Sequence, residues 1–168
     1  MTAKEYNQIV DDHANHLFRF LVKNTRDGDL ANDLMQTAFE RLWKNKQKVI
    51  TQKAKSYLFT VAYNAMIDHF RKNKRISFQE ELPERVIMPD VKQFELKEWI
   101  NEGLKTLSEQ YRSLILLRDY EGYSYKEIGD ITNLSESQVK VYIFRARKAL
   151  KDFFTQNYSQ ELRQYGCK

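Results

Sequence analysis

The stretch "YSYKEIGDITNLSESQVKVYIFRARKAL" (Tyr123–Leu150) decides the fold class. Ser124 stands three residues before Glu127, and Ser135 stands three residues before Gln138. In each pair the hydroxyl can accept from the backbone N–H three residues on, while the longer side chain returns to the cap's own N–H. Each is therefore a helix start. Thr132–Asn133–Leu134 separates the two as a turn. A short helix, a three-residue turn and a longer helix make a helix-turn-helix pattern. Ile128 and Ile131 give the short helix an inner face.

At roughly 100° per residue, the longer helix sorts into two sides. Val139, Ile143, Ala146 and Leu150 share the side that faces the core. Ser137, Lys140, Val141, Phe144, Arg145, Lys148 and Lys151 cover the other, with Gln138 at its start. Five basic residues and no acidic one lie between Val139 and Lys151. Residues early in such a helix reach base edges, and later cations hold phosphates. A surface helix with solvated cations would show the same charges. Phe144 on the wet face argues against that, because an exposed aromatic calls for a contact.

Working outward, 168 residues suffice for one ordinary domain or two small ones. Hydrophobic residues at 42% and charged residues at 30% suit a folded chain, and five glycines with two prolines leave few breaks between helices. Residues 1–75 hold fourteen Lys/Arg against eight Asp/Glu, whereas residues 76–92 hold two against four. A basic first part suits a nucleic-acid partner. The single cysteine, Cys167, permits no internal disulfide, which fits a reducing compartment. The polar N-terminus does not read as a signal peptide, and no apolar run reaches membrane-spanning length, so the expected location is the cytoplasm without membrane insertion.

Both prolines, Pro83 and Pro89, fall in the acidic stretch Ile76–Val91. Each disfavours helix around itself. The expected organisation is all-α: a helical module over 1–75, a linker over 76–92, and a second module over 93–168. In the first module, Ile9, Val10, His13, Leu17, Phe20 and Leu21 recur at helical spacing. "RDGD" (Arg26–Asp29) predicts a turn with Gly28 free to take positive φ. A second helix follows from near Asp29, with Leu30, Leu34, Ala38 and Leu42 as its stripe and Met35 and Phe39 widening it. Lys44–Lys55 reads as a basic loop, and a third helix is expected from about Ala54 to Lys74. In the second module, Trp99, Ile100, Leu104 and Leu107 suggest a helix beginning near Phe94, Ser108 can cap the next, and "EGYS" (Glu121–Ser124) breaks the chain.

Two further features stand out. Asp33, Gln36 and Glu40 form a polar ridge beside the apolar stripe of the second helix, with Phe39 at its edge. Such a ridge suits a protein partner, although by itself it also describes an ordinary solvated face. "KSYLFTVAYNAMIDHFRKNKR" (Lys55–Arg75) mixes Tyr57, Phe59, Tyr63 and Phe70 with a run of cations. Aromatics interleaved with cations suit single-stranded nucleic acid, where bases stack and phosphates are neutralised; at least half of these rings are expected in the core.

In this order the segments resemble the extracytoplasmic-function sigma factors, the small two-domain class of bacterial RNA polymerase sigma factors. "DLMQTAFERLW" resembles region 2.2, "KSYLFTVAYNAMIDHFRKNKR" resembles regions 2.3 and 2.4, and the stretch from Leu104 to Leu150 resembles region 4. The resemblance runs from about Leu17 to Phe153. It implies two helical domains that bind core RNA polymerase, open the −10 promoter element and read the −35 element, with no cofactor and no catalysis of their own. It implies polymerase docking by Asp33, Gln36 and Phe39, reversing the solvated-face reading of that helix. It implies −10 contacts by Val49 in the basic loop and by Phe59, Val61, Asn64, Asp68 and Arg71 on the third helix. The −35 face would comprise Ser137, Gln138, Lys140, Val141, Phe144, Arg145 and Lys148. An anti-sigma factor is implied as a further partner.

Val141–Tyr142 departs from the Ser–Arg that relatives often carry, and the loop lacks an aromatic found in some members. Val141 can offer only apolar contact, for instance to a thymine methyl. A stand-alone helix-turn-helix regulator would not need the Asp33–Phe39 ridge. A nucleic-acid enzyme would need clustered carboxylates or an arginine-flanked nucleophile, and Asp33 and Asp68 fall in different helices. His13, His16 and His69 lack metal-ligand companions, so no metal site is expected.

Overall fold

The computed structural model describes residues 1–76 and 96–164, and every regular element among them is helical. The expected linker prolines Pro83 and Pro89, and also Phe94 and Cys167, lie outside the described residues.

Helix α1 (Ala3–Thr25) starts on a capping box of Thr2 and Glu5. Ile9, Leu17, Phe20 and Leu21 form its buried stripe. The reversal that follows differs from expectation. Asp27 accepts from the N–H groups of Asp29 and Leu30 at 2.9 and 3.0 Å, which starts α2 (Gly28–Lys44) one residue early. Gly28 is therefore the first helical residue. The left-handed position falls on Arg26 (φ 56°), whose N–H closes α1 on the Val22 carbonyl. A short 3₁₀ turn (Thr51–Lys53) leads into α3 (Ala54–Ile76). Helices α1, α2 and α3 pack mutually around Leu17, Phe20, Leu42, Leu58, Phe59 and Met66, all at most 2% exposed.

Helix α4 (Leu96–Thr106) and α5 (Glu109–Ile115) follow, with Ser108 capping α5 through Tyr111 N–H. The end of α5 widens into a π-turn over Leu116–Tyr120, where Glu121 N–H reaches back to Leu116 O at 3.0 Å. Such wide turns redirect a chain locally. Gly122 completes the redirection at φ 75°, a backbone conformation that costs glycine nothing. Helices α6 (Tyr125–Thr132) and α7 (Glu136–Gln164) then form the helix-turn-helix.

Both capping boxes read from the sequence are made. Glu127 N–H meets Ser124 Oγ at 3.2 Å and Ser124 N–H meets Glu127 Oε2 at 2.8 Å. Gln138 N–H meets Ser135 Oγ at 3.1 Å and Ser135 N–H meets Gln138 Oε1 at 2.9 Å. The turn sits one residue later than expected. Helix α6 keeps Thr132, and Asn133 takes the left-handed cap at φ 57°. Gly129 makes this possible: a Cβ there would lie 2.6 Å from Leu134 O.

The two halves of the chain pack on each other. Helix α3 touches α6, and α1 touches α5. At the centre of the seam, Arg112 is 4% exposed and donates to three carbonyls at 2.9 Å each: Leu104, Leu107 and Asn24. Leu104 lies in the last turn of α4, Leu107 just beyond its end, and Asn24 in the last turn of α1. One cation thus satisfies carbonyls left open where two helices end, and opposes their dipoles. Ser113 Oγ donates to Asn24 Oδ1 at 2.8 Å, and Asn24 Nδ2 donates to Phe20 O at 2.8 Å. Polar pairs ring the same seam: Lys23 with Asn101 at 3.0 Å, part-buried, and Lys74 with Glu109 at 3.2 Å, exposed.

Candidate nucleic-acid and protein interfaces

Helix α7 presents Ser137, Gln138, Lys140, Val141, Phe144, Arg145 and Lys148 to solvent, while Val139, Ile143 and Ala146 are at most 1% exposed. Helical periodicity alone produces this split, because the buried set recurs at three and four residues. Phe144 is 70% exposed and Val141 45%. Two apolar side chains in water, flanked by Lys140, Arg145 and Lys148, can press on thymine methyls while the cations neutralise phosphates.

Several neighbours hold this face in position. Arg147 grips Asp119 with two nitrogens, at 2.6 and 3.3 Å, tying α7 to the π-turn. Lys140 pairs with Glu136 at 2.9 Å, which lowers the carboxyl pKa and raises that of the ammonium. The side chain of Gln138 is engaged in its cap. Tyr142 turns inward, 5.7 Å from the Tyr111 ring. The departure from the family pattern at Tyr142 is therefore a matter of packing, whereas Val141 lies on the exposed face.

On α2, Asp33, Gln36 and Glu40 are exposed as one ridge. Phe39 is not its aromatic edge. The ring is 8% exposed, packed edge-on against Tyr6 at 6.4 Å, and its carbonyl accepts from Tyr6 Oη at 3.1 Å. The cause is the N-terminal reach of α1, which brings Tyr6 over α2. The exposed aromatic of the ridge is Trp43, 39% exposed, three residues after Glu40 and seven after Gln36. Its ring lies 4.9 Å from Tyr6 and carries the Lys46 ammonium at 3.5 Å. The three-four-three spacing of Asp33, Gln36, Glu40 and Trp43 is legible in the sequence and identifies the same ridge.

On α3, Asn64, Asp68 and Arg71 are exposed and Val61 is half-buried. Asp68 and Arg71 pair at 2.8 Å. Phe59 differs from expectation. It has no exposed surface, because Phe20 lies 5.4 Å to one side and Tyr123 of the second half lies 5.4 Å to the other. In this arrangement it does not face nucleic acid. In the loop before α3, Val49 packs partly against the core, and the exposed apolar residue is its neighbour Ile50, at 56%.

Among the described residues, no group of three or more His, Cys, Asp or Glu side chains is arranged to hold a metal ion. No helix among them is long and apolar enough to cross a membrane.

Comparison with known proteins places these features. Residues 9–76 match the family described as Sigma-70 region 2, and residues 97–150 match Sigma-70, region 4. The chain is 32% identical to the ECF RNA polymerase sigma factor SigM of Bacillus subtilis, over 96% of this chain and 100% of that protein. It is 29% identical to ECF RNA polymerase sigma factor SigL of Mycobacterium tuberculosis, over 85% of each. Its fold is similar to that of the sigma factor RpoE of Bartonella quintana, solved with the anti-sigma factor NepR: TM-score 0.75, 23% identity, 91% of this chain and 98% of that one. CnrH, solved with the cytosolic domain of CnrY, is similar at TM-score 0.66 and 21% identity, over 90% and 88% of the two chains. The chain belongs to the extracytoplasmic-function family of RNA polymerase sigma factors.

Proposed function

We propose that this sigma factor, which directs promoter-specific initiation by core RNA polymerase, divides the work among three surfaces. The Asp33–Gln36–Glu40–Trp43 ridge of α2 docks on core polymerase. The Lys140–Lys148 face of α7 reads the −35 element. The exposed side of α3, with Val61, Asn64, Asp68 and Arg71, together with the Val49–Ile50 loop, engages the −10 element. The observation that carries this reading is the α7 face, where Val141 and Phe144 stand in water among three cations. A stand-alone regulator could use that face, but gains nothing from a second exposed ridge in the other half of the chain.

The division into a first domain over 1–75, a linker over 76–92 and a second domain over 93–168 belongs to the same reading. So does the absence of catalysis of its own, since the polymerase supplies the chemistry. Work on promoter DNA implies the cytoplasm. RpoE and CnrH were each solved with a protein partner, an anti-sigma factor in the case of RpoE, and a comparable inhibitory partner is proposed for this chain.

The test is reconstitution. The purified chain should co-elute with core polymerase and start transcripts at discrete sites on genomic templates. Arg145→Ala should lose −35-dependent binding and keep core association. A chain that binds duplex tightly alone and never joins core polymerase would refute the proposal.

A further inference from the structure

None of the three proposed surfaces uses the cleft that α1 forms with α4 and the π-turn. It has two lobes, with cavity volumes of about 510 and 550 Å³, within the size range of small-molecule sites. Arg19, Lys23 and Lys97 line both. The first lobe adds Arg26 and Lys105 beside Val22 and Leu104. The second adds Tyr120 and Glu121 beside Phe20, Ile100 and Leu116. The apolar side chains are buried or half-buried, while Arg19, Arg26, Lys97 and Lys105 are exposed, so an apolar floor carries a cationic rim.

The charge of the first lobe is one-sided. Five cations stand against Glu98 and Glu102, and Glu102 pairs with Lys105. Among the described residues no carboxylate pairs with Arg19, Lys23 or Lys97. Lys23 instead donates to Asn101 Oδ1 at 3.0 Å and stands 5.0 Å from the centre of the Tyr120 ring. Burial, and next the charges of Lys97 and Arg19, hold its pKa below the ordinary lysine value. Like charges gathered over an apolar floor are relieved by an anion, and a cleft of one sign concentrates anions.

The second lobe has a different chemistry. At the π-turn the Glu121 N–H reaches Leu116 O, one residue further back than in an α-helix. Tyr120 and Glu121 thereby come to face α1: Tyr120 meets Lys23, and Glu121 meets His16 Nδ1 at 3.3 Å. Tyr120 is 47% exposed, so its ring can carry a further planar group. A carboxylate on the wall of a cleft accepts ribose hydroxyls in dinucleotide sites, and Glu121 has that place beside Tyr120.

The geometry points to a site for a nucleoside triphosphate. The base stacks on Tyr120, the ribose lies against Glu121, and the phosphates run along Arg19, Lys23 and Lys97 toward Arg26 and Lys105. The order of the lobes sets this direction. A polyphosphate alone would leave the aromatic lobe empty, and a fatty acid, with one carboxylate, would leave most of the cations unmet.

The test is calorimetric titration of the full chain with ATP, GTP and inorganic tripolyphosphate in turn. Both nucleotides should bind about tenfold more tightly than tripolyphosphate, the effect of one stacked base. Tyr120→Ala should weaken ATP and GTP about tenfold and leave tripolyphosphate unchanged. Lys97→Gln should weaken all three several-fold. Arg145→Ala, on α7, should change none of them. Both cleft variants should keep core association and duplex binding, so the nucleotide site stands or falls apart from the promoter-reading role. Nucleotide binding that Arg145→Ala weakens and Tyr120→Ala spares would move the anions to the α7 face and overturn the proposal. Equal affinity for ATP and tripolyphosphate, or no nucleotide binding at about 1 mM, would overturn it as well. If Tyr120→Ala fails to fold, Lys97→Gln decides: unchanged ATP affinity overturns the proposal.

Discussion

Replacing Arg112 by lysine should cost the protein about 3 kcal/mol. The charge and most of the apolar stem stay, but the fork is lost. Arginine places three nitrogens on three carbonyls at 2.9 Å, on Leu104, Leu107 and Asn24, in one buried plane. An ammonium is a single point and can keep good geometry with one of them. Two hydrogen bonds from a charged donor are then lost, each worth roughly 1.5–3 kcal/mol, and the sum is reduced by partial relaxation of the freed carbonyls. The loss is a large fraction of a typical stability of about 5–15 kcal/mol.

Urea unfolding measures it. With a slope of about 2 kcal/mol per molar, the midpoint should fall by about 1.5 M while the slope stays constant. Far-UV ellipticity reads the whole chain. The fluorescence of Trp99 on α4, in a Trp43→Phe background, reads the half where two of the three carbonyls lie. A shift under about 0.5 M would mean that water or the backbone replaces the lost donors. The structural reasoning about the seam would then be wrong.

Other outcomes follow from single features. Gly129→Ala should destabilise by about 2 kcal/mol and abolish −35 binding, because a Cβ 2.6 Å from Leu134 O must push the turn apart; calorimetry and duplex anisotropy check the two effects. Trp43→Ala should weaken core polymerase binding at least tenfold, about 1.4 kcal/mol, in a pull-down titration, whereas Phe39→Leu should act mainly on stability, since that ring is 8% exposed. Burial, and next the Lys55 charge, hold the His13 pKa below its ordinary value, so the unfolded chain takes up this proton at higher pH than the folded one. The His13 contribution is therefore fully present above about pH 6.5 and shrinks as pH falls below it. Urea midpoints between pH 7.5 and 5.5 should fall for the parent and less steeply for His13→Gln; parallel curves would refute the assignment.

Local chemistry carried much of the reading. A serine three residues before a glutamate or glutamine makes a helix start wherever it lies on a folded surface, so both helix-turn-helix caps are legible in the sequence. The sidedness of α7 is also local, because buried and exposed positions follow from 3.6 residues per turn. The same arithmetic on α2 gave the polar ridge. Which aromatic stands exposed beside that ridge is not legible there, because the burial of Phe39 depends on Tyr6, which arrives from another helix.

The sequence by itself determined an all-α fold class with a basic helix-turn-helix face and a polar ridge, since those patterns depend on contacts within one or two turns. Tertiary structure alone decided the rest. Phe59 is an aromatic on an aromatic-rich helix until Tyr123, sixty-four residues on by sequence number, closes over it. Arg112 is one of twenty-eight basic residues until three carbonyls from two helix ends converge on it. Burial and hydrogen-bond satisfaction are properties of neighbours brought from far along the chain, and no window of sequence contains them.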